Sequence, residues 1–271
     1  MKRAIALLLV PFALSACPKE DALTASEARE SLEEASASSQ AEGLSSATVD
    51  IATNFTIGQG VEKAAADLKA FVNSQLPCAE VTLAGATLTV KYGVNPGNCV
   101  YRGHTFSGTS AITVSKDEMN DVVVDHQWTN LSNGVVQLNG TAHVTWNFAD
   151  QTRHVTHDLK WTQLVTGRTG EGTGDRTERP LAGGITQGFQ VDGSRTWTGA
   201  KGTWDLAIDG VEMQWTDPVP QAGTYSLSTP YKKTVTMTFS RVDADTIQVS
   251  VAGPKHQFSF NVSKAGNVAA E

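Results

Sequence analysis

The sequence predicts a mainly β protein, built on a large curved antiparallel meander sheet, barrel-like or half-barrel, with one N-terminal amphipathic helix packed on it. The first observation is that apolar residues recur at every second position from Val81 onward, which is the period of half-buried strands. The second is that Gly, Asn and Asp separate these runs, as they do in short turns. The runs predict about ten to thirteen strands. The third is a single segment, residues 61–75, with a strong helical period.

The helix over residues 61–75 is predicted from its apolar stripe. The stripe recurs at three- and four-residue spacing, and its members are Val61, Ala64, Ala65, Leu68, Phe71 and Val72. Charged residues occupy the other side, and Gly60 and Pro77 flank the segment. A stripe this regular requires a covering surface, so we expect the sheet to curl round this helix.

The strands after the helix are predicted from their alternation and turns. A first hairpin is expected to turn at Ala84-Gly85, and a second at Asp209-Gly210, the strongest short hairpin signal in the chain. In the central meander, one face is predicted to carry Val122, Val124, His126, Trp128, Leu138, Gly140, Ala142, Val144, Trp146, Val155, His157, Leu159 and Trp161. The expected register places Gly140 between His126 and Trp161, which leaves room for both rings. The glycine-rich residues 166–184 are expected to form a mobile loop or ragged hairpin.

The first residues of the chain have the pattern of an export signal. Lys2 and Arg3 precede the apolar residues 4–14, and Leu14-Ser15-Ala16-Cys17 closes the segment. This tetrapeptide resembles the lipobox of bacterial lipoproteins that carry a type II signal peptide. The resemblance implies cleavage before Cys17, diacylglyceryl transfer to its thiol and acylation of the new amino terminus. The alternative is an ordinary cleaved signal with a chance cysteine, since the segment is too short to span a membrane.

The lipobox resemblance also predicts where the protein resides. Acyl chains on Cys17 would tether it to a membrane partner without a spanning helix, and the sequence leaves a protein or ligand partner open. Pro18 stands where enteric lipoproteins retained in the inner membrane carry Asp. The expected location is therefore the cell envelope, lipid-anchored in the outer membrane of a Gram-negative bacterium. The chain is expected to divide into a signal peptide (residues 1–16), an anchored, partly helical spacer (17–55) and a single β domain (56–271).

The spacer is predicted from its composition. Residues 18–47 are rich in Ala, Ser and Glu, and Leu32 is almost the only large apolar side chain. Thr24 and Glu27 have the spacing of a capping box, so a helix over residues 25–40 is predicted. It lacks a stripe for packing, and we expect it to be solvated.

Two cysteines, Cys78 and Cys99, remain once Cys17 is assigned to the anchor. In an oxidising compartment an even pair favours a disulfide, and two buried free thiols are the alternative. If both cysteines lay in flat strands either side of residues 86–92, they would be too far apart to bond. Pro77 is expected to bend the chain and bring Cys78 over the sheet.

A second resemblance rests on the segment that follows the second of these cysteines. Residues 99–108, with the sequence Cys-Val-Tyr-Arg-Gly-His-Thr-Phe-Ser-Gly, are similar to segments in uncharacterised envelope lipoproteins of Gram-negative bacteria. The similarity extends over about residues 55–115 and implies an all-β lipoprotein family without known chemistry.

Composition and motifs exclude several function classes. The chain has 271 residues and a formal net charge of −7, and an acidic surface argues against non-specific nucleic-acid binding. The segment Gly170-Glu171-Gly172-Thr173-Gly174 lacks the ending of a phosphate loop, so no nucleotide is expected. His126 and His157 share a face but are on the order of 16 Å apart, too far to ligate one metal. No metal or other cofactor is therefore expected.

The leading hypothesis is a non-enzymatic envelope protein with a structural or binding role. One alternative is a carrier of an apolar ligand in a sheet cavity lined by His126, Gly140, Trp146, His157 and Trp161, although a filled core is the more ordinary arrangement. Another alternative is a hydrolase that uses His143 and Asp158, for which the sequence supplies no nucleophile elbow. A transmembrane barrel, which also alternates its faces, ranks last.

Overall fold

The computed structural model of the protein describes residues 21–53, 61–118, 121–147, 151–184, 186–215, 217–263 and 266–269. Its helices are α1 (Ala25–Thr53) and α2 (Val61–Gln75). Its strands are β1 (Glu80–Ala84), β2 (Thr87–Tyr92), β3 (Val100–Tyr101), β4 (His104–Thr105), β5 (Ser107–Lys116), β6 (Val122–Ser132), β7 (Val136–Asn147), β8 (Thr152–Gln163), β9 (Thr169–Pro180), β10 (Gly188–Gly199), β11 (Gly202–Gln214), β12 (Asp217–Ser228), β13 (Thr234–Arg241), β14 (Thr246–Ala252) and β15 (Gln257–Ser263).

One antiparallel sheet of thirteen strands dominates the protein, with the order β1-β2-β5-β6-β7-β8-β9-β10-β11-β12-β13-β14-β15. Strands β3 and β4 form a separate small hairpin in the connection between β2 and β5. The prediction of a mainly β chain with a large antiparallel meander sheet is confirmed. The sheet is open, because its edge strands β1 and β15 do not pair with each other.

The sheet curls round α1. Strands β6, β7 and β8, from one half of the sheet, and β12 to β15, from the other half, all contact this one helix. Almost every side chain of α1 after Leu32 is buried, including serines, glutamates and Asp50. The expectation of a solvated spacer over residues 17–55 is therefore wrong for the described part of that range. The polar composition predicted a solvated helix. The helix is buried instead, because the sheet supplies polar partners for its polar side chains.

Helix α2 has the predicted bounds and the predicted buried stripe. Ala64, Ala65, Leu68 and Val72 are buried against strands β1, β2 and β5 at the edge of the sheet. It is not the helix that the sheet surrounds, so that part of the prediction is wrong. Among the described residues, neither helix combines the length and the apolar character needed to cross a bilayer.

The predicted faces of the central meander are confirmed, but its register is shifted. Gly140 lies between Trp128 and Leu159 instead of between His126 and Trp161. On the β6 side the displacement is already present next to the turn, where Ser132 pairs with Gln137, and the irregularity between Trp128 and Leu131 changes the register by one residue. The first hairpin is displaced in the same sense, because Leu83 pairs with Leu88 and the turn lies at residues 85–86.

The expected hairpin at Asp209-Gly210 is wrong, because strand β11 runs straight through this dipeptide. The pairing with β12 is irregular between Asp209 and Glu212, and Gly210 has φ of 56°, so the dipeptide forms a bulge. An extra residue in a strand exchanges the faces of all later residues. Ile208 and Val211 consequently both face the core, as they would across a two-residue turn.

The expected mobile loop over residues 166–184 is also wrong, because most of it is strand β9 in the middle of the sheet. Its glycines make room for large rings of the neighbouring strand. A Cβ atom on Gly170 would lie 2.4 Å from the ring of Trp161, and one on Gly174 would lie 2.1 Å from the ring of His157. Glycine is needed here for close packing.

Candidate functional site

The residue predicted to carry the anchor, Cys17, lies outside the described residues, and its lipidation stays a prediction. Residues near the start of the described chain make hydrogen bonds to the β domain. The backbone of Leu23 bonds to Pro254 over 2.9 Å, and Lys233 donates to the carbonyl of Ala22 over 3.0 Å. The described chain therefore begins beside the turns before β13 and before β15.

The predicted disulfide between Cys78 and Cys99 is confirmed, with their Cα atoms 5.4 Å apart. Cys78 lies in the turn between α2 and β1, and Cys99 directly precedes the small hairpin β3–β4. Neither cysteine lies in a strand of the large sheet, so the separation expected for flat strands does not arise. The bond ties the end of α2 to the connection between β2 and β5.

The five residues predicted to line a cavity all face the interior of the sheet, where the space is occupied. His126, Trp146, His157 and Trp161 are at most 9% exposed. A Cβ atom on Gly140 would lie 2.1 Å from the carbonyl oxygen of Asp158, so this glycine faces backbone. Two internal spaces in the described part of the protein measure about 10 Å³ each, which is room for roughly one water molecule.

The interior instead holds a ladder of ion pairs between α1 and the sheet. Glu34, Glu42 and Asp50 follow one another at eight-residue intervals along the helix, and each meets an arginine. Arg168 bonds Glu34 at the first rung. At the last rung Asp50 is bonded by Arg153 over 3.0 Å and by Arg102 over 3.1 Å. Sequence reasoning missed this ladder. A usable signal was that arginines occupy strand positions where the alternation predicts an inward-facing apolar residue.

Glu42 is the centre of the ladder. It contacts Arg176, His157 over 3.1 Å and Arg195 over 3.7 Å. Burial alone would raise the pKa of the Glu42 carboxyl, but the charges of Arg176, His157 and Arg195 hold its pKa well below its usual value. Glu178 adds a second carboxylate, 2.8 Å from Arg176. Because buried charges are costly unless paired, this arrangement positions α1 within the sheet.

The expected separation of His126 and His157 along the strands is wrong, because both lie in one inward row of the sheet with Ala142 between them. The two rings nevertheless differ in their partners. The ring nitrogens of His126 have no hydrogen-bond partner within the described part of the chain. Burial lowers the pKa of His126 to about 3, so the ring is neutral at physiological pH. It stacks on Trp128 with ring centroids 5.3 Å apart, which makes it a core side chain.

A large concave surface lies on the opposite, outer face of the sheet. It is an open groove of about 850 Å³ across the strands from β2 to β10. Two adjacent lateral rows of paired residues line it. The first row is Thr113, Asp125, His143, Thr156, Asp175 and Ser194, and the second is Ala111, Gln127, Thr141, Asp158, Thr173 and Thr196.

The groove is polar and acidic. Its three carboxylates are Asp125, Asp158 and Asp175, and its one arginine, Arg195, is buried and donates inward to Ser39 over 2.7 Å. No lysine is among the described lining residues. The groove therefore combines hydroxyl groups with negative charge, a lining suited to a polar ligand that carries positive charge.

The predicted pairing of His143 with Asp158 is wrong. His143 lies opposite Thr156, and its Nδ1 atom is 2.7 Å from Asp125 Oδ1. Both members of this pair are about half exposed, at 53% of each side chain. A second pair of the same kind joins His154 and Asp175 over 2.7 Å. In the described structure neither histidine is bonded to a hydroxyl group that it could activate.

Comparison with known proteins supplies no further assignment, since no family model, no curated protein and no solved structure matches this chain. The functional argument therefore depends on the residues and on the geometry described above.

Proposed function

We propose that this chain is a non-enzymatic protein of the bacterial cell envelope, anchored to the outer membrane by acyl chains on Cys17, with a binding role. The tetrapeptide Leu14-Ser15-Ala16-Cys17 after an apolar segment supports export and lipidation. The disulfide between Cys78 and Cys99 supports the same address, because such bonds persist in oxidising compartments.

The observation that supports a binding role is the position of the groove on the outer face of the sheet. Helix α1 occupies the interior of the curled sheet, and the groove of about 850 Å³ lies on the outer face. An apolar carrier requires a cavity among apolar side chains, and the interior spaces of about 10 Å³ do not supply one. The outer groove is therefore the binding surface in this proposal.

The groove favours a polar, positively charged ligand that makes hydrogen bonds. Asp125, Asp158 and Asp175 contribute negative charge. Thr156 lies between Asp125 and Asp175 in the first row, and threonines flank Asp158 in the second. The lining offers no exposed aromatic ring on which an apolar ligand could stack. Opposite charge across such a surface increases association rates and discriminates against anionic partners.

A hydrolase is the competing function, since Asp125 and His143 form a hydrogen-bonded pair. Such a pair requires a nucleophile within hydrogen-bond reach of the histidine. In the described part of the chain the ring of His143 bonds Asp125 and is not bonded to a serine or threonine. A cross-strand polar pair on a solvated face accounts for it.

Mass spectrometry of the mature amino terminus tests the anchor. The proposal expects a chain that begins at Cys17 and carries acyl chains, and it expects Cys17→Ser to leave the protein unprocessed by the lipoprotein peptidase. A mature chain that begins elsewhere, or an unmodified Cys17, would overturn the anchor.

Calorimetric titration with oligolysine, and with oligoglutamate as the charge-reversed probe, tests the groove. We expect binding of oligolysine to be weakened about two- to fivefold by Asp158→Asn, the range that one exposed ion pair contributes, and any binding of oligoglutamate to be unaffected by this substitution. Asp205→Asn is the matched control, because Asp205 lies on the same lateral row but outside the groove. Equal effects of the two substitutions would overturn the assignment of the groove.

A further inference from the structure

Four turns lie near the amino-terminal end of α1 and the residues that lead into it. Residues 164–168 contact it through Arg168, which binds Glu30, and residues 229–233 contact it through Lys233, which binds Glu27. Residues 253–256 contact Leu23 through Gly253 and His256. The fourth turn, residues 200–201, directly follows Gly199. This glycine lies close to α1, because a Cβ atom on it would be 3.2 Å from Glu34. We name these four turns the anchor-side face.

The anchor-side face is basic, although the whole chain is acidic. Its exposed lysines are Lys201, Lys232 and Lys255, and its four turns contain no Asp or Glu. The acidic residues of α1 at this end are already engaged, because Lys233 binds Glu27 and Arg168 binds Glu30, Glu33 and Glu34. The four turns themselves carry five cationic side chains and no carboxylate, so their own charge is positive, while Asp21 and the four glutamates at the start of α1 lie beside them.

The turns at the opposite ends of the strands have the reverse charge. The turn between β13 and β14 carries Asp243 and Asp245, and the turn between β5 and β6 carries Asp117, Glu118 and Asp121. The described residues of these two turns include no lysine or arginine. These two turns are thus acidic, whereas the four turns beside the start of α1 are basic.

The anchor-side face also carries the most exposed large apolar side chain among the described residues. Val165 is 73% exposed and its neighbour Leu164 is 47% exposed, both at the tip of the β8–β9 turn. An apolar tip on the same face as exposed lysines is the pattern of a surface that contacts a bilayer, since the lysines bind anionic headgroups and the tip enters the interfacial region.

The length of the connection places this face at the membrane. Cys17 precedes Leu23 by six residues, which span at most about 20 Å when fully extended. We infer that the anchor-side face docks on anionic lipid headgroups, with Leu164 and Val165 in the interface and Lys201, Lys232 and Lys255 on the phosphates. This inference rests on the proposed acyl anchor and adds an orientation, in which the acidic turns point away from the membrane.

A dye attached at the tip of the face tests the inference on the full mature protein. The proposed state has no free thiol, because Cys17 is acylated and Cys78 is bonded to Cys99. Val165→Cys, labelled with an environment-sensitive dye, is incorporated into vesicles of phosphatidylethanolamine and phosphatidylglycerol. We expect its emission to shift to shorter wavelength, whereas dye on Val242→Cys, which is 58% exposed on an acidic turn, keeps its emission in water.

A variant with reversed charges provides a second test of the docking surface. Lys201→Glu, Lys232→Glu and Lys255→Glu combined should weaken docking about fivefold for each lysine and return the dye on residue 165 toward its emission in water. Lys63→Glu, Lys69→Glu and Lys91→Glu combined are the control, since these lysines lie on α2 and β2, and should leave the shift unchanged. Emission unaffected by the first set would overturn the role of the lysines.

Flotation of the vesicles separates the two proposals. Protein that does not float with the vesicles lacks the anchor, and that result contradicts the proposed function. Protein that floats while the dye on residue 165 stays in water is anchored but not docked, and that result overturns the inference made here.

Discussion

The two helices of this protein have opposite relations between sequence and burial. Helix α2 has a regular apolar stripe and packs by one side on the edge of the sheet. Helix α1 has no stripe and consists largely of Ala, Ser and Glu, yet the sheet encloses it. A pattern-based expectation thus places the apolar helix inside and the polar helix in solvent, and the structure does the reverse for α1.

The comparison shows that an apolar stripe indicates a helix that is buried on one side only. A stripe indicates a helix with one covered side and one solvated side, because the residue types must differ between the two environments. A helix covered on all sides has no such difference to display. When the covering sheet supplies arginines, as Arg153, Arg176 and Arg195 do here, the enclosed helix can carry carboxylates and resemble a solvated segment.

The largest expected effect comes from removing a carboxylate from the enclosed helix. Glu42→Gln leaves Arg176, Arg195 and His157 without their shared negative partner in the interior. Loss of one member of a buried ion pair costs about 3–5 kcal/mol, and we expect a loss of that order in the free energy of unfolding measured by denaturant titration.

The matched change on the other helix is Asp67→Asn. Asp67 pairs with Lys63 over 3.5 Å on the exposed side of α2, and exposed pairs contribute about 0–1 kcal/mol. We expect a change of less than about 0.5 kcal/mol. Similar losses for the two substitutions would show that α1 is not enclosed as the structure describes it.

A second test uses pH to separate the paired and unpaired buried groups. The pKa of His126 falls from 6.5 to about 3 on folding, so the unfolded chain binds the extra proton and stability is lost as the pH falls below 6.5. The depressed pKa of Glu42 acts in the same direction, but only below its unfolded value of 4.5. Between these two values the loss due to His126 should reach about 2–3 kcal/mol.

His126→Phe should remove this loss between pH 6.5 and 4.5, because the ring keeps its place on Trp128 but cannot bind a proton. At neutral pH the variant should be at least as stable as the native chain, since a buried group without a partner costs about 1–3 kcal/mol. Denaturant titrations of both proteins across this pH range provide the measurement. An unchanged pH slope in the variant would assign the acid sensitivity to other groups.

The smallest expected effect concerns the start of α1. Thr24 Oγ1 accepts a hydrogen bond from the backbone N–H of Glu27 over 3.2 Å, and Glu27 accepts one from the backbone N–H of Thr24 over 2.9 Å. Thr24→Ala should cost about 1 kcal/mol. Ser26→Ala, at an exposed position of the first turn, is the control and should change stability by less than about 0.5 kcal/mol.

The sequence by itself determined the features that depend on neighbouring residues. The capping box correctly placed the start of α1 at Ala25, and the stripe correctly placed α2. Alternation assigned the inward faces of the meander, because side chains of a strand alternate strictly between the two faces. With one cysteine assigned to the anchor, the remaining two had only each other as disulfide partners.

Only the tertiary structure decided the features that depend on distant residues. Asp209-Gly210 satisfies the local requirements of a turn and of a bulge equally well, and the pairing of β11 with β10 and β12 selects the bulge. The glycines of β9 resemble a loop until the rings of Trp161 and His157 lie across them. The burial of α1 depends on arginines more than a hundred residues away in the chain, because the free energy of a buried charge is set by its partners and not by its own segment.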